Sequence, residues 1–351
     1  QSTTGLEALA LDKPLVKLDF AYSPQSAYSF VDQGVATKMS VQQLVRALED
    51  RVDFSTLADR TKLAEYFKRE LSDPAQAIEK VCTIFRQAIQ AREPSPALRP
   101  APLSGPPKEF SILIEVSSDP KILLQQLEAI AVNSRGKDFE TWLMEPRNIS
   151  AEVRQILDSL EGEVKRMGSD KGENLLDRMN LAAREASGET LVFLKENLIP
   201  VCPWFAIMDD AFKRYGAQRI LGARIIDPDK KIIHAGMVVD NNHSPVSAYS
   251  HLDMDYPPAL KERPFQMVDH FAAIKKSFFL ALGGFSPKAG TKSVLDLCLK
   301  AEAKTGQMDP AVYLPDLSMI LAPPQGPSPP PEESVFFYSR WHGQLWESRT
   351  R

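Results

Sequence analysis

The stretch Ser169–Pro200, SDKGENLLDRMNLAAREASGETLVFLKENLIP, decides how the rest of the chain is read. Leu175, Leu176, Met179, Ala182, Ala183 and Ala186 recur at helical spacing, so a short turn at Gly172 leads into an amphipathic helix. Gly188 is expected to stop that helix from the C′ position. Leu191–Leu194 is an apolar run short enough for a buried strand. Lys195, Glu196 and Asn197 follow at its carboxyl end, where open α/β sheets place their ligands.

Working outward, the preceding segments alternate in the same way. Phe110–Val116 reads as a buried strand, and Pro120–Asn133 as a helix with Leu124, Leu127 and Ile130 on one stripe. Phe139–Met144 is a second strand, Ala151–Leu160 a second helix and Val164–Met167 a third strand. This β-α-β-α-β order predicts an α/β fold, a Rossmann-like domain with a mostly parallel central sheet. Downstream, Trp204–Tyr215 reads as a helix, and Arg219–Ile226 and Lys231–Val239 as strands joined by the turn Asp227–Lys230. His234, inside the second of these, reads as a half-buried strand histidine in preference to a catalytic one.

Composition narrows the classes. A chain of 351 residues suggests two or three domains, and 43% hydrophobic with 25% charged residues is ordinary globular material. A net charge of −4 with no basic block gives no reason to expect a nucleic-acid partner. Cys82, Cys202 and Cys298 are scattered and odd in number, which argues against a disulfide framework and fits a reducing, cytoplasmic setting. No apolar run approaches the roughly 18 residues of a membrane span, while peripheral contact with a membrane stays open. Prolines concentrate in Glu93–Pro107, six in fifteen residues, and in Leu321–Pro331, six in eleven. The first cluster is read as an extended linker (93–107) between an N-terminal segment (1–92) and a larger domain (108–351).

Gly172, Asn180, Ala186, Gly188 and Glu189 fall in step with a pattern of the family-two glycosyltransferases of the GT-A fold, which this region resembles. In that family the apolar strand runs into an Asp-x-Asp that holds a metal and a nucleotide-sugar. Here the position reads Lys195-Glu196-Asn197. The resemblance continues through the hairpin around Asp227 and the Gly283-Gly284-Phe285 run to the Trp-containing ending Phe336–Trp346. It implies a donor site built from Glu145, where the family has an Asp after its second strand, with Asp170 beside Gly172, Glu196 and Asn197. Glu196 and Asn197 would be the metal ligands, and the cofactor a divalent cation, Mg or Mn. After Gly-Gly-Phe the family carries further acids, one of them the catalytic base. Ser293 and Val294 stand in two of those places, and Asp296 is the surviving acid and candidate catalytic residue. A serine or a valine cannot take a proton from a sugar hydroxyl near neutral pH.

The opening segment carries a second resemblance. Ser2-Thr3-Thr4-Gly5-x-Glu7, followed by Lys13-Pro14 and a strand, is similar to the donor-binding end of GT-B glycosyltransferases and UDP-sugar 2-epimerases. It implies that Ser2, Thr3, Thr4 and Glu7 meet a nucleotide-sugar; read alone, the same residues make a capped helix start. That fold needs strands in front of Gln1, so residues 1–92 are expected to be the end of a larger domain.

Two readings follow. One is a glycosyltransferase that uses a nucleotide-sugar donor, a UDP-sugar first, and a glycan or lipid-linked acceptor in bacterial surface-polysaccharide assembly. The other is a module of the same fold that binds a nucleotide-sugar, glycan or partner protein without transfer. Asp253-Met254-Asp255 spells the acid pair literally but sits in a Pro-flanked region, where a solvated loop is the simpler reading.

Overall fold

Short runs of buried apolar residues, each followed by an amphipathic segment, build a layered α/β structure. The computed structural model describes residues 106–322 apart from 173 and 241–243, with 97–101, 336–341, 344 and 345; before these it describes 16–18, 36–39, 43, 46, 47, 50, 52 and 62. Contacts divide the chain into two units, Gln1–Arg86 and Gln87–Arg351. In the first, β1 (Val16–Leu18) pairs in parallel with β2 (Thr37–Met39). Ser2, Thr3, Thr4 and Glu7 lie outside the described residues.

The second unit opens with β3 (Lys108–Glu115), α1 (Pro120–Asn133), β4 (Phe139–Met144), α2 (Ala151–Asp158) and β5 (Val164–Met167). Then come α3 (Leu175–Glu185), β6 (Gly188–Leu194), β7 (Leu198–Pro200), α4 (Trp204–Tyr215), β8 (Ile220–Ile226), β9 (Ile232–His234), β10 (Met237–Val239) and β11 (Pro245–Ser247). The series ends with β12 (Arg263–Phe265), β13 (Phe271–Lys275), α5 (Lys276–Ala281), α6 (Ser293–Thr305) and β14 (Ala311–Leu321). The central sheet runs β12-β14-β8-β13-β6-β3-β4-β5, with β7 on β14 and β9 on β8. Only β13 and β12 oppose the other strands along that path, so the sheet is mostly parallel and Rossmann-like, as expected.

Alternating side chains serve two cores. Ile112, Ile114, Val192 and Leu194 face Leu123 and Ile130 of α1, Val153 and Leu157 of α2, and Trp204, Phe205 and Met208 of α4. Leu113, Leu191 and Phe193 face α3, α5 and α6, where Phe337, Trp341 and Leu345 complete the layer. Each fully buried Leu, Ile or Phe contributes about 1.5–3 kcal/mol over leaving it exposed. No helix among the described residues is long and apolar enough to cross a membrane.

Two local expectations are corrected. Gly188 does not stop α3 in a left-handed conformation, since the helix ends at a C-cap on Ala186 with φ −54°. Gly188 begins β6 instead, because a Cβ there would stand 2.3 Å from the Ser111 backbone nitrogen. The single strand expected over Lys231–Val239 is two, β9 and β10, broken where Gly236 takes φ +91° under the Phe265 ring. Within the Pro-rich segment 93–107, Leu98 N–H donates to Leu280 C=O at 2.9 Å, and Ala101 N–H to Arg184 C=O at 3.2 Å.

Candidate functional site

A cavity of about 750 Å³ opens at the carboxyl ends of β3 and β6. Glu115 ends β3, and Lys195, Glu196 and Asn197 follow β6, so both strands deliver their charged residues to one place. Asp269 and His270 enter just before the antiparallel β13, and the approach to α6 adds Lys292, Ser293 and Val294. Phe193, Phe285 and Met179 supply apolar wall. The first turn of α6 has no side-chain cap, and its Ser293 N–H donates to Gly290 C=O.

The Lys195–Asn197 turn is held from two sides. On α1, the buried Gln126 donates to the carbonyls of Lys195 and Leu198, both at 2.8 Å. The Asn197 carboxamide donates to Ala322 C=O at 2.7 Å, and Ala322 N–H returns to Asn197 C=O at 2.9 Å. Backbone committed in this way fixes where the Lys195 and Glu196 side chains leave the chain.

Around Lys195 the electrostatics are those of several carboxylates about an ammonium. Lys195 Nζ stands 3.8 Å from Asp269 Oδ1. Burial lifts the Glu115 carboxyl to about 7; the Glu196 charge adds to this, while Lys195, Arg178 and the Glu196 backbone N–H oppose it. Burial also raises the Glu196 carboxyl. Burial acts against the charge on Asp269, yet Lys195, His270 and the His270 N–H at 2.7 Å hold its carboxyl down at about 2. His270 itself has φ +65°, a conformation uncommon outside glycine and asparagine. His234 is fully buried and held neutral, its pKa lowered to about 3 by burial. Its Nε2 accepts from the Gly236 and Asp269 N–H groups, both at 3.3 Å, which is the structural role expected of it.

The other residues singled out from the sequence do not converge here. Glu145 leaves the end of β4 and pairs with Arg166, which also reaches Asp158 at 2.5 Å. Asp170 is exposed, 3.8 Å from Lys171. Asp253 pairs with Lys231 at 2.6 Å. Asp296 lies outside the cavity lining with no exposed surface; Trp341 Nε1 donates to it at 2.8 Å, and Lys300 and Arg340 stand at 3.3 and 3.7 Å. Of the five candidates among the described residues, Glu196 and Asn197 line the cavity, and the Asn197 amide nitrogen bonds Ala322.

Glu115, Asp269 and Lys292 were not foreseen. A charged residue closing an otherwise apolar run, as Glu115 does after Phe110–Ile114, was the available signal for one of them. Asp269-His270 interrupts an apolar segment in the same way.

The residues present were tested against a divalent cation. Such an ion needs several convergent oxygen ligands. Among the described residues no three His, Cys, Asp or Glu side chains are grouped to hold one. In the triplet itself a lysine occupies the first position, with its ammonium on Asp269, so Glu196 and Asn197 alone fall short of the oxygen ligands a metal needs.

No family model matches the chain. It is 25% identical over 215 residues to the uncharacterized protein y4gI of Sinorhizobium fredii, covering 58% of this chain and 23% of that protein. It is 27% identical over 143 residues to the O-antigen biosynthesis protein RfbC of Myxococcus xanthus, covering 39% of this chain and 11% of that protein. The chain thus spans less than a quarter of the length of these curated relatives. Among solved structures it superposes on GalNAc-T7, determined with UDP, GalNAc and Mn2+, with a TM-score of 0.51 and 14% identity over 70% of this chain and 51% of that one. At that identity the likeness shows a shared Rossmann-like α/β fold.

Proposed function

We propose that the second unit takes a nucleotide-activated sugar, a UDP-sugar first, into the cavity at the ends of β3 and β6, and that the chain is glycosyltransferase-like. The observation that carries this reading is the placement of Glu115, Lys195, Glu196 and Asp269 around one cavity, at the sheet edge where folds of this kind hold their ligands. Glu196 is suited to accept from a sugar or ribose hydroxyl. Glu115, with its carboxyl near 7, is the group able to exchange a proton close to neutrality. The O-antigen description of one relative and the UDP and GalNAc of the solved neighbour support a role in bacterial surface-polysaccharide assembly, with a glycan or lipid-linked acceptor. The division into 1–92, 93–107 and 108–351 belongs to the same reading, with the first segment the end of a GT-B-like domain meeting a nucleotide-sugar through Ser2, Thr3, Thr4 and Glu7. A cytoplasmic protein peripheral to a membrane is the setting proposed.

A second reading, binding without transfer, is favoured by one observation. Ser293 and Val294 line the cavity where the family resemblance implies acids, and the nearby Asp296 is paired inside the core. Titration calorimetry of UDP, UDP-GlcNAc and UDP-GalNAc into the full chain tests the shared part. Release of UDP from the sugar nucleotide in the presence of glycan acceptors separates the two readings. Binding with no release supports the module, and no binding of any nucleotide sinks the transferase and leaves a module for a glycan or partner protein.

A further inference from the structure

Lys195 stands at the first position after β6, half-buried, with its ammonium 3.8 Å from Asp269 and on the wall of the same cavity as Glu115 and Glu196. Its charge bears on Glu115, Asp269, His234 and His270, which places it amid the site's titratable groups. A diphosphate entering this cavity brings two or more negative charges toward Glu115, Glu196 and Asp269, so a positive charge must stand between them. Among the described residues no three His, Cys, Asp or Glu side chains are grouped as a metal site, and the first position of the triplet is a lysine.

We infer that the Lys195 ammonium is the resident cation of this site, holding the diphosphate of a nucleotide ligand without a divalent ion. This rests on the nucleotide-sugar reading above. An ammonium is a compact charge with three donors, so it can bond one phosphate oxygen while keeping Asp269 as counter-ion. Gln126 and Ala322 fix the backbone on either side of it, so the charge is aimed before the ligand arrives. Lys292 on the opposite approach is a second cation within the lining. The arrangement selects nucleoside diphosphates over nucleosides and is indifferent to Mn2+.

The test is titration of UDP, GDP, uridine and guanosine into the full chain, in EDTA and in Mn2+, for the unaltered protein, Lys195→Ala, Lys195→Gln and Lys195→Arg. The expected result is diphosphate binding in EDTA that Mn2+ changes less than about twofold. Lys195→Ala and Lys195→Gln should weaken diphosphate binding roughly ten- to hundredfold, the loss of one charge-assisted hydrogen bond, and leave nucleoside binding unchanged. Lys195→Arg should retain most of the affinity. A tenfold or greater gain from Mn2+, or equal losses for nucleoside and diphosphate, overturns the inference and leaves the nucleotide reading standing. Failure of the unaltered protein to bind any nucleotide overturns both. The Mn2+ comparison needs no variant and decides the matter even where a substitution prevents folding.

Discussion

Trp341 donates its indole N–H to Asp296 Oδ1 at 2.8 Å, joining the C-terminal segment to the first turns of α6. The carboxylate is sealed from solvent and faces Lys300 at 3.3 Å and Arg340 at 3.7 Å. Burial lowers the pKa of both cations, and the Asp296 charge opposes that shift. Asp296→Asn leaves two buried cations against a neutral amide, and should destabilise the fold by about 3–5 kcal/mol in chemical denaturation. In the folded fraction, nucleotide affinity should change by less than about twofold, or roughly 0.4 kcal/mol. A variant of full stability that has lost transfer activity would return Asp296 to the reacting centre.

Glu115 predicts a pH dependence of the opposite sense to an ordinary salt-bridged acid. Its carboxyl is lifted from 4.5 to about 7 by burial and by Glu196. The folded protein therefore holds a proton that the unfolded chain releases above 4.5. Stability from this group is full below that pH, falls as pH rises toward 7 and is level above it, with a total change of up to about 3 kcal/mol. Glu115→Gln should flatten that slope and raise the melting temperature above pH 7. Melting curves taken between pH 4.5 and 8 decide the point; an unchanged slope in the variant removes Glu115 as its source.

Much of the architecture was legible because it depends on local pattern. Apolar runs such as Phe110–Ile114 and Leu191–Leu194 are strands wherever they pack, and the alternation with helices then dictates a parallel sheet. Gly188 shows the limit. A glycine after a helix suggests a left-handed cap, but the Ser111 backbone 77 residues away is what forbids a Cβ there. The site was legible only in part, for the same reason. Glu196 follows from its place after a strand. That Asp269 would meet Lys195, and that Asp296 would be enclosed by Trp341, are pairings across tens of residues that no local pattern encodes.

Asn180 illustrates a residue whose place in the resemblance has a packing cause. Its carboxamide clamps Phe285, accepting from the N–H at 2.8 Å and donating to the C=O at 2.9 Å. Phe285 lines the cavity, so α3 positions that wall directly. Asn180→Ala loses both bonds and should cost about 2–3 kcal/mol. Asn180→Asp keeps the acceptor but turns a lone pair on the Phe285 carbonyl, and should cost at least as much. Equal stability of the aspartate variant and the original protein in urea would show that the donor half of the clamp is idle.

Gln126 offers the cleanest separation of support from contact. It is buried on α1 and reaches the cavity through the carbonyls of Lys195 and Leu198. Gln126→Leu keeps the volume and removes both donors, leaving two carbonyls unpaired beneath the turn, at a cost of about 1–3 kcal/mol. The loosened turn lets the Lys195 ammonium swing, so diphosphate affinity should drop several-fold while uridine affinity holds. Gln126→Glu removes the same donors and adds an acceptor against two carbonyls, so it should be the less stable of the two. Titrations of UDP and uridine into each variant, with thermal melts alongside, read both effects. If Gln126→Leu loses stability but keeps its full preference for UDP over uridine, the turn does not need this support to hold Lys195 in place, and the backbone bonds from Ala322 suffice.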